Sequence, residues 1–508
     1  MTEKSILSRT ALGAGWVVAW RMTTRVLGLI STLILVRLLA PADFGLVALA
    51  TSFALALDAC LSIGVEDQLV RSNNPRPALY HTAFTLNLIR SLAVAGLIAF
   101  LATPAAAFFA DARLHDVFLA LAISAGLSGL ANVGVADFRR KLTFHKEFQL
   151  QLLPRLAGIT VTLIAAWLLR SHWALILGIL VSRLGLLIMG HVLHPYRPRL
   201  SLEAWRELIS VSAWSWAISV CSVVRDRADS LVIGRLLGPP ALGPYAVGVE
   251  LAVLPTTELI DPICRACMPG FAETLRSGGM AELGRAWLRV IALVAVLGLP
   301  AGVGISLLAG PVVALLFGQG WLAAAPIVAI LGLACTITLP GNVSSALLSA
   351  RTALHLITVI TAGAAVLRIA LLLVLTIWLG LPGAGLAVGI ALLVEHAALV
   401  TCALRMLDIP FGLLVRAFVR PSVAVTVMAL VLWATGLGWT TPPADGGGAF
   451  WMLLQAVPLG ALVFFAALAL QWLLAGRPAG AEWDLMTVLR TAFGRVFAPR
   501  PVVAGQGG

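Results

Sequence analysis

Two stretches of this sequence decide the fold: LVRLLAPADFGLVALA at residues 35–50 and IGRLLGPPALGPYAVG at residues 233–248. The second copy repeats Arg37, Leu38, Leu39, Pro41, Gly45 and Ala48 of the first as Arg235, Leu236, Leu237, Pro239, Gly243 and Ala246. In each copy an arginine anchors a helix end at a membrane surface, proline prevents the helix from continuing, and glycine lets the chain turn. The repeat therefore predicts two equivalent helix ends.

The composition identifies a membrane protein. Of the 508 residues, 60% are hydrophobic and 11% are charged, and the mean hydropathy is +0.99. A soluble domain carries about 25% charged residues. Apolar runs of about 18 residues or more recur along the chain, and each is long enough to cross a hydrocarbon core of roughly 30 Å as a helix. The strict alternation of a membrane β-barrel is not seen, so we predict an all-α polytopic membrane protein.

We predict about fourteen transmembrane helices joined by short connections, none of which holds a soluble domain. The predicted spans cover residues 11–36, 45–65, 82–103, 117–136, 150–169, 172–193, 208–234, 242–263, 287–316, 322–348, 354–379, 383–404, 421–438 and 449–475.

The basic residues indicate the orientation, because Lys and Arg in short loops are retained on the cytoplasmic side. With the N-terminus inside, most of the 35 Lys and Arg fall in cytoplasmic segments, and the opposite loops hold only Arg37, Arg113, Arg170 and Arg235. Both termini are therefore predicted to be cytoplasmic. The net charge of +12 reflects this topology and an attraction to anionic lipid. No nucleic-acid partner is expected, since no recognition motif accompanies the scattered charges.

Six predicted crossings separate Arg37 from Arg235, so both copies of the repeat leave the membrane on the same face. This arrangement indicates two parallel six-helix lobes, with a substrate site between them near the membrane midplane. The predicted order is a cytoplasmic N-terminus, the first lobe, the second lobe, two extra helices and a cytoplasmic tail, at residues 1–10, 11–207, 208–407, 408–475 and 476–508.

Eight arginines fall within predicted spans, where each costs about 2.5–3.5 kcal/mol at a helix centre. They are Arg21, Arg25, Arg90, Arg155, Arg183, Arg225, Arg227 and Arg368. The clear acidic residues in the spans are fewer, namely Asp58, Asp226, Asp229, Glu250 and Glu395. A cavity with surplus arginine suits a substrate that carries diphosphate or acidic sugars, because the guanidinium group binds phosphate and carboxylate oxygens in pairs.

Five of these arginines are predicted to bind substrate: Arg21, Arg25, Arg90, Arg225 and Arg368. Arg21 and Arg25 are four residues apart and share a helix face, from which they either line a cavity or snorkel to the cytoplasmic surface. Arg368 lies near the middle of its span, where snorkelling is harder. Arg225 and Asp229 are also four apart, which favours an internal ion pair over a substrate contact.

Three intramembrane carboxylates, Glu250, Glu395 and Asp229, are candidates for ion coupling. A buried carboxylate takes up protons readily, and packing against an arginine is the alternative role. Neither a cofactor nor a metal site is expected, since the sequence contains no phosphate-binding loop, nucleophile elbow or paired-histidine metal motif.

Two further patterns in the sequence each allow two interpretations. Pro255, Pro262 and Pro269 recur every seven residues, and such prolines bend a helix that either moves or is merely architectural. The basic run FRRKLTFHKEF at 138–148 is interpreted as a topology anchor at the membrane surface, with contact to a lipid diphosphate as the alternative.

The 6 + 6 + 2 layout, the turns RLLAPADFG and RLLGPPALGPYAVGVELAVLP, and LLFGQGWLAAAPIVAILGL at 315–333 resemble one transporter family. This is the polysaccharide transporter branch of the multidrug/oligosaccharidyl-lipid/polysaccharide exporter superfamily, the Wzx-type flippases. The resemblance covers residues 11–475 and implies a transporter rather than an enzyme. Its substrate would be an oligosaccharide on undecaprenyl diphosphate, moved from the cytoplasmic to the periplasmic leaflet of a bacterial inner membrane by alternating access.

The resemblance also implies a setting, which is exopolysaccharide or lipopolysaccharide assembly. The implied partners are the lipid-linked oligosaccharide, membrane lipids, and a polysaccharide polymerase with other assembly proteins. Two alternatives stay open: a multidrug exporter of the same superfamily, and a membrane glycan polymerase or glycosyltransferase. An exporter of organic cations should have an acidic, aromatic cavity, against which the surplus of arginine argues.

Overall fold

A computed structural model of the chain describes residues 3–61, 69, 75–141, 143–206, 213–351, 353–441, 443 and 446–476. The regular structure of these residues is helical throughout. The all-α class predicted from composition and hydropathy is therefore confirmed.

In the described part of the chain before residue 207, the α-helices are α1 (Glu3–Leu38), α2 (Pro41–Cys60), α3 (Pro77–Phe108), α4 (Arg113–Gly129), α5 (Ala136–Arg140), α6 (Phe144–Leu169) and α7 (Trp173–Leu193). Nine follow among the described residues: α8 (Ala213–Leu236), α9 (Pro239–Pro255), α10 (Asp261–Leu307), α11 (Ala309–Leu316), α12 (Ala325–Ile337), α13 (Leu339–Ala350), α14 (Leu354–Leu407), α15 (Phe411–Ala434) and α16 (Gly446–Leu474).

The repeated sequence ends and starts helices as its residues predict. In the first copy α1 ends at Leu38 and α2 begins at Pro41, and in the second α8 ends at Leu236 and α9 begins at Pro239. Proline is well suited to a first helical position, because its missing N–H group would have no partner there. The carboxylate of Asp43 accepts a hydrogen bond from the N–H of Ala40 at 3.3 Å, which caps the start of α2.

Within the described ranges, nine helical stretches are long and apolar enough to cross a membrane, or ten if α4 and Val133–Arg140 form one bent span. Two of the nine contain a break, at Gly279 with φ 72° and at Gly380 with φ 63°. Glycine adopts positive φ without strain, so each break joins two helical segments. The chain is a multi-pass membrane protein, and the number fourteen stays a prediction.

Three of the predicted spans are interrupted. In the span predicted at 117–136, α4 ends at Gly129 and a 3₁₀ turn follows at Val133–Val135. The prediction of one helix over 287–316 is wrong, because α10 ends at Leu307 and α11 begins at Ala309. The span predicted at 322–348 consists of a 3₁₀ turn, α12 and α13, and Pro340 lies in the first turn of α13. Between Pro255 and Pro262 the backbone forms a π-helical turn at Thr256–Ile260, a local irregularity common at functional sites.

The contacts within the chain define two units. The first comprises Met1–Gly248, Val313–Ala324 and Thr361–Val388, and the second comprises Val249–Val312, Ala325–Ile360 and Gly389–Gly508. The lobe boundaries predicted from the repeat stay a prediction.

In the first unit, α6 and α7 approach closely because small residues face each other. A Cβ atom at Gly158 would lie 1.8 Å from the Oγ of Ser182, and one at Gly178 would lie 1.7 Å from the Oγ1 of Thr162. The hydroxyl of Thr162 donates instead to the carbonyl of Gly158 at 2.8 Å. Such close packing holds helices together where lipid removes the hydrophobic driving force.

In the second unit, α15 and α16 pack on the part of α10 that follows Gly279. Their buried side chains join one core, which includes Trp287, Ile291, Leu414, Met428, Leu432, Phe464 and Leu468. The two helices that have no counterpart in the repeat therefore cover one face of α10.

Candidate functional site

The two copies of the repeat contact each other within the first unit. A Cβ atom at Gly45 would lie 1.8 Å from the carbonyl oxygen of Pro239, and one at Gly243 would lie 2.0 Å from the carbonyl oxygen of Pro41. Each glycine faces the proline of the other copy, so the contact has local two-fold symmetry. Only glycine fits at either position, which explains why both copies carry it. We call these four residues the repeat contact.

The arginines of the two copies also reach across. Arg37 donates from Nη2 to the carbonyl of Leu315 at 2.8 Å, whereas the guanidinium carbon of Arg235 lies 5.2 Å from the ring centre of Phe108. Leu315 belongs to the second half of the sequence and Phe108 to the first. Each arginine therefore ties its own copy to the opposite half.

The motif LLFGQGW packs on the first copy of the repeat. The indole N–H of Trp321 donates to the carbonyl of Val36 at 3.1 Å, and its ring lies edge-on to Phe44 at 5.2 Å between centres. Gly318, with φ +88°, leaves room for Arg37, whose Nη1 is 3.4 Å from the position of a Cβ. These contacts hold Gly318 and Trp321 against the first copy of the repeat.

A cavity of about 440 Å³ lies between α2, α3, α4 and α7, all within the first unit. Its wall is largely apolar, and its polar residues are Thr51, Asp58, Asn87, Arg90, Ser124, Ser128 and Arg183. Small-molecule sites commonly measure about 300–1,000 Å³ and combine an apolar wall with a few polar groups. We call this space the first-unit cavity.

Arg90, a predicted substrate residue, lines the first-unit cavity but is paired. Its Nη1 lies 2.5 Å from the Oδ1 of Asp58, and the two side chains are 17% and 46% exposed. A second, longer hydrogen bond runs from Nη2 to the Oδ1 of Asn87 at 3.3 Å. The charge of Arg90 is therefore largely compensated, while part of Asp58 stays accessible from the cavity.

Arg183 supplies the uncompensated charge of the first-unit cavity. It is exposed, and among the described residues no side chain forms an ion pair or hydrogen bond with it. It stands at the midpoint of the 21-residue helix α7, roughly 15 Å from either helix end. A charge at that depth requires water. Sequence reasoning counted Arg183 among the intramembrane arginines without selecting it, although its central position in the span was visible.

Of the other arginines predicted to bind substrate, Arg25, Arg225 and Arg368 do not line this cavity. The side chain of Arg21 lies outside the described residues, and Arg25 is half-buried on α1. Arg225 binds Asp226 at 2.9 Å, so the predicted ion pair between Arg225 and Asp229 is wrong. The physical reason is that Asp229 is buried against other partners.

Arg368 and Asp229 were assigned to different roles, and the structure brings them together. The Nη2 of Arg368 lies 2.8 Å from the Oδ2 of Asp229, with side-chain exposures of 11% and 7%. The hydroxyl of Tyr245 donates to the same oxygen at 2.7 Å. This buried group joins α8, α9 and α14, which favours a structural pair over substrate binding for Arg368.

The remaining carboxylates predicted to couple ions have contrasting surroundings. Glu250 is exposed on α9, whereas Glu395 on α14 is 6% exposed. Next to Glu395, the ring of His396 is held through Nδ1 by the carbonyl of Leu392 at 2.8 Å and through Nε2 by Asn342 at 3.1 Å. An ion-coupling role for these residues stays a prediction.

The basic run at 138–148 is engaged within the protein. Asp137 binds Arg140 at 2.8 Å and Lys141 at 2.7 Å, and Arg139 binds Glu147 at 2.6 Å. These pairs fit the topology anchor better than a free binding surface for a lipid diphosphate.

The residues that follow α7, including His194 and Tyr196, are held in place near the basic run at 138–148. The ring of His81 lies 2.9 Å from the hydroxyl of Tyr196 through Nδ1, and Asn132 donates to the backbone carbonyl of Tyr196 at 3.0 Å. Burial raises the pKa of Tyr196 to about 12. Burial also lowers the pKa of His194, against the attraction of the nearby carboxylate of Asp137, so both side chains are held neutral near pH 7.

No metal centre is assembled by the part of the chain that the structure describes. In those residues no three His, Cys, Asp or Glu side chains are grouped to hold an ion. The side chains that line the first-unit cavity include the guanidinium group of Arg183, which can bind an anion, and amide and hydroxyl groups, which can bind hydroxyl groups.

Comparisons with known proteins agree with this picture. A family model described as "Polysaccharide biosynthesis protein" matches residues 34–326. The lipopolysaccharide biosynthesis protein WzxC of Escherichia coli (strain K12) is 24% identical over 62% of this chain and 64% of its own length. The succinoglycan biosynthesis transport protein ExoT of Rhizobium meliloti (strain 1021) is 25% identical over 60% of this chain and 62% of its own length. Both matches thus span less than two thirds of these relatives.

A solved structure of the lipid II flippase MurJ, in an inward closed conformation, has the same fold. The two structures agree with a TM-score of 0.70 at 14% sequence identity, over 90% of this chain and 98% of the other. Together with the family match, this confirms the resemblance that the sequence motifs indicated.

Proposed function

We propose that this chain, which belongs to the polysaccharide biosynthesis protein family, is a flippase for a lipid-linked oligosaccharide. The substrate is carried on undecaprenyl diphosphate and moves from the cytoplasmic to the periplasmic leaflet of a bacterial inner membrane, with both protein termini in the cytoplasm. The product serves exopolysaccharide or lipopolysaccharide assembly together with a polymerase and other assembly proteins.

The first-unit cavity carries this proposal through Arg183. The residue lies at the midpoint of α7, has no ion-pair partner in the part of the chain that the structure describes, and stands beside hydroxyl and amide groups from α3 and α4. Diphosphates and acidic sugars supply the matching negative charge, and sugar hydroxyls pair with the neutral polar groups. An apolar substrate would leave this charge without a partner.

Alternating access requires an end of the protein that closes and reopens. The repeat contact supports this requirement, because two backbone turns meet there without intervening side chains. In the orientation predicted from charge, this end faces the periplasm. Separation of the two copies is then the step that releases the headgroup.

Transport is favoured over catalysis by the chemistry of the cavity and by the similarity to the succinoglycan biosynthesis transport protein ExoT. The first-unit cavity offers one carboxylate, Asp58, which is bound to Arg90. A glycosyltransferase or polymerase would need free acidic groups there, and an exporter of organic cations would need net negative charge.

The experiment measures flipping in proteoliposomes. An undecaprenyl-diphosphate-linked oligosaccharide with one acidic sugar is placed in both leaflets, and an added glycosidase reports the fraction that becomes accessible. Arg183→Gln is expected to slow flipping about tenfold, equivalent to roughly 1.4 kcal/mol, and Arg183→Lys to retain more activity. The control is Arg276→Gln, an exposed arginine bound to Glu273 outside the cavity. Equal rates for Arg183→Gln and the wild type would remove Arg183 from the site, and flipping by neither would reject the proposed function.

A further inference from the structure

The buried group of Asp229, Tyr245 and Arg368 lies apart from the first-unit cavity and has no role in the proposed function. Its residues come from α8, α9 and α14, and none of them lines that cavity. A complete charge pair at this position is expensive to bury, because both ions lose their hydration. Hydrophobic residues of the same volume would hold three helices together at least as well.

One carboxylate oxygen of this group meets both a hydroxyl group and a positive charge. The Oδ2 of Asp229 and the hydroxyl of Tyr245 lie 2.7 Å apart, and the cation of Arg368 is 2.8 Å from that Oδ2. The second oxygen, Oδ1, accepts a hydrogen bond from the backbone N–H of Ser230 at 2.9 Å. Hard cations bind oxygen ligands, and the carboxylate of Asp229 next to the hydroxyl of Tyr245 places two oxygen atoms side by side between helices.

We propose that the guanidinium group of Arg368 occupies a monovalent-cation position formed by Asp229 and Tyr245. The protein thereby carries its own cation where a sodium or potassium ion would otherwise bind. Asp229 consequently binds no ion from solution in the wild-type chain, which removes it from the predicted ion-coupling residues. Glu250 and Glu395 remain as the candidates for that role.

The burial of the group supports an internal cation over an exchangeable one. Arg368 and Asp229 are 11% and 7% exposed, and Tyr245 is 1% exposed. A covalently tethered cation needs no path to solution, whereas an ion that couples transport must enter and leave. Arginine also keeps its charge at every physiological pH, so this site does not titrate through its cation.

The test asks whether removal of the guanidinium group creates a response to free cations. The full chain is purified in detergent as the wild type and as Arg368→Gln, and its Tm is measured in sodium, potassium and choline chloride at equal ionic strength. The equal ionic strength cancels charge screening. Only the alkali ions are small enough to replace the guanidinium group between the oxygens of Asp229 and Tyr245.

Arg368→Gln is expected to have a lowered Tm in choline chloride and to regain about 3 °C in sodium or potassium chloride, in a saturable manner. The wild type and Arg368→Lys, which both keep a cation, should show no such difference. The double variant Asp229→Asn/Arg368→Gln has lost the carboxylate and should also be insensitive, while showing that the glutamine is tolerated. If Arg368→Gln is recovered folded only in the alkali salts, the same conclusion follows.

One result would overturn the proposal: a Tm of Arg368→Gln that is the same in choline, sodium and potassium chloride. The measurement needs no substrate, so it is independent of whether the chain flips a lipid-linked oligosaccharide. The two proposals therefore fail separately. Flipping is tested in proteoliposomes, and the cation position is tested by the Tm of Arg368→Gln.

Discussion

Arg183 and Arg368 are arginines of the first unit in membrane helices, and the protein accommodates their charges in opposite ways. Arg183 is exposed at the first-unit cavity and has no partner among the described residues. Arg368 is buried and bound to Asp229 at 2.8 Å. The penalty for a charge inside a membrane is met by a carboxylate in the second case, and we expect water in the cavity to meet it in the first. Only the first arrangement leaves a charge available for a ligand.

The largest expected effect concerns the paired arginine. Asp229→Asn leaves the guanidinium group of Arg368 buried without its counter-charge, and we expect a loss of about 3–5 kcal/mol in the free energy of unfolding. Arg183→Gln also removes one charge, but at the first-unit cavity, and should alter the free energy of unfolding by less than about 0.5 kcal/mol. Thermal unfolding in detergent compares the two, and similar losses for both variants would contradict the distinction.

The next prediction concerns the repeat contact, which lies between a helix of the first-unit cavity and a helix of the buried charge pair. It joins α2, which carries Asp58 of the cavity, to α9, which carries Tyr245. Gly45→Val places side-chain atoms where the carbonyl of Pro239 lies within 1.8 Å, and we expect about 1–3 kcal/mol of destabilisation with the two turns forced apart. Spin labels on both turns measure the separation. The control Gly96→Val meets open space, and an unchanged distance in Gly45→Val would exclude the tight contact.

A bulkier side chain in the wall of the first-unit cavity should impair transport without disturbing the buried pair. Ala125 lines the cavity, so Ala125→Phe is expected to reduce flipping about tenfold, roughly 1.4 kcal/mol in the barrier. The matched control is Ile123→Phe on the same helix, where the native side chain is 61% exposed and points elsewhere. Equal flipping by both variants would argue that the headgroup does not use this space.

The smallest effect is a pH dependence from His194, outside the spans. Burial lowers its pKa in the folded protein, whereas an unfolded histidine titrates near about 6.5. Below that pH the unfolded chain binds more protons, so stability falls as the pH drops toward the folded pKa. His194→Phe should flatten this part of the curve in thermal unfolding. The exposed His115 serves as the control, and an identical slope in His194→Phe would exclude His194 as its source.

The sequence was sufficient for the class of fold but not for the pairing of charges. Composition and apolar runs predicted membrane helices, and the repeated proline predicted the helix starts at Pro41 and Pro239, because these features act locally. The breaks at Leu307 and Thr338 were missed, since apolar residues continue through them and hydropathy does not record a change of backbone direction.

The candidate site illustrates the same limit. Arg90 was predicted to bind substrate, which stays a prediction; it lines the first-unit cavity, but its bond to Asp58 depends on how α2 and α3 pack. Arg225 and Asp229 were paired by helical spacing, which identifies neighbours on one helix only. The partners of Asp229 come from α9 and α14, far away in sequence. Such pairings are tertiary contacts, and no local pattern specifies them.

Water at the midpoint of α7 is the central claim, and thiol labelling tests it directly. In a chain whose native cysteines are replaced by alanine, Arg183→Cys is compared with Leu184→Cys, its neighbour at the same depth, where the leucine is 45% exposed but does not line the cavity. A charged methanethiosulfonate reagent reacts only with thiols in contact with water. We predict labelling of Arg183→Cys at least about tenfold faster than that of Leu184→Cys, because adjacent helical residues point about 100° apart. Equally slow labelling of both would show that Arg183 faces lipid or a dry interior.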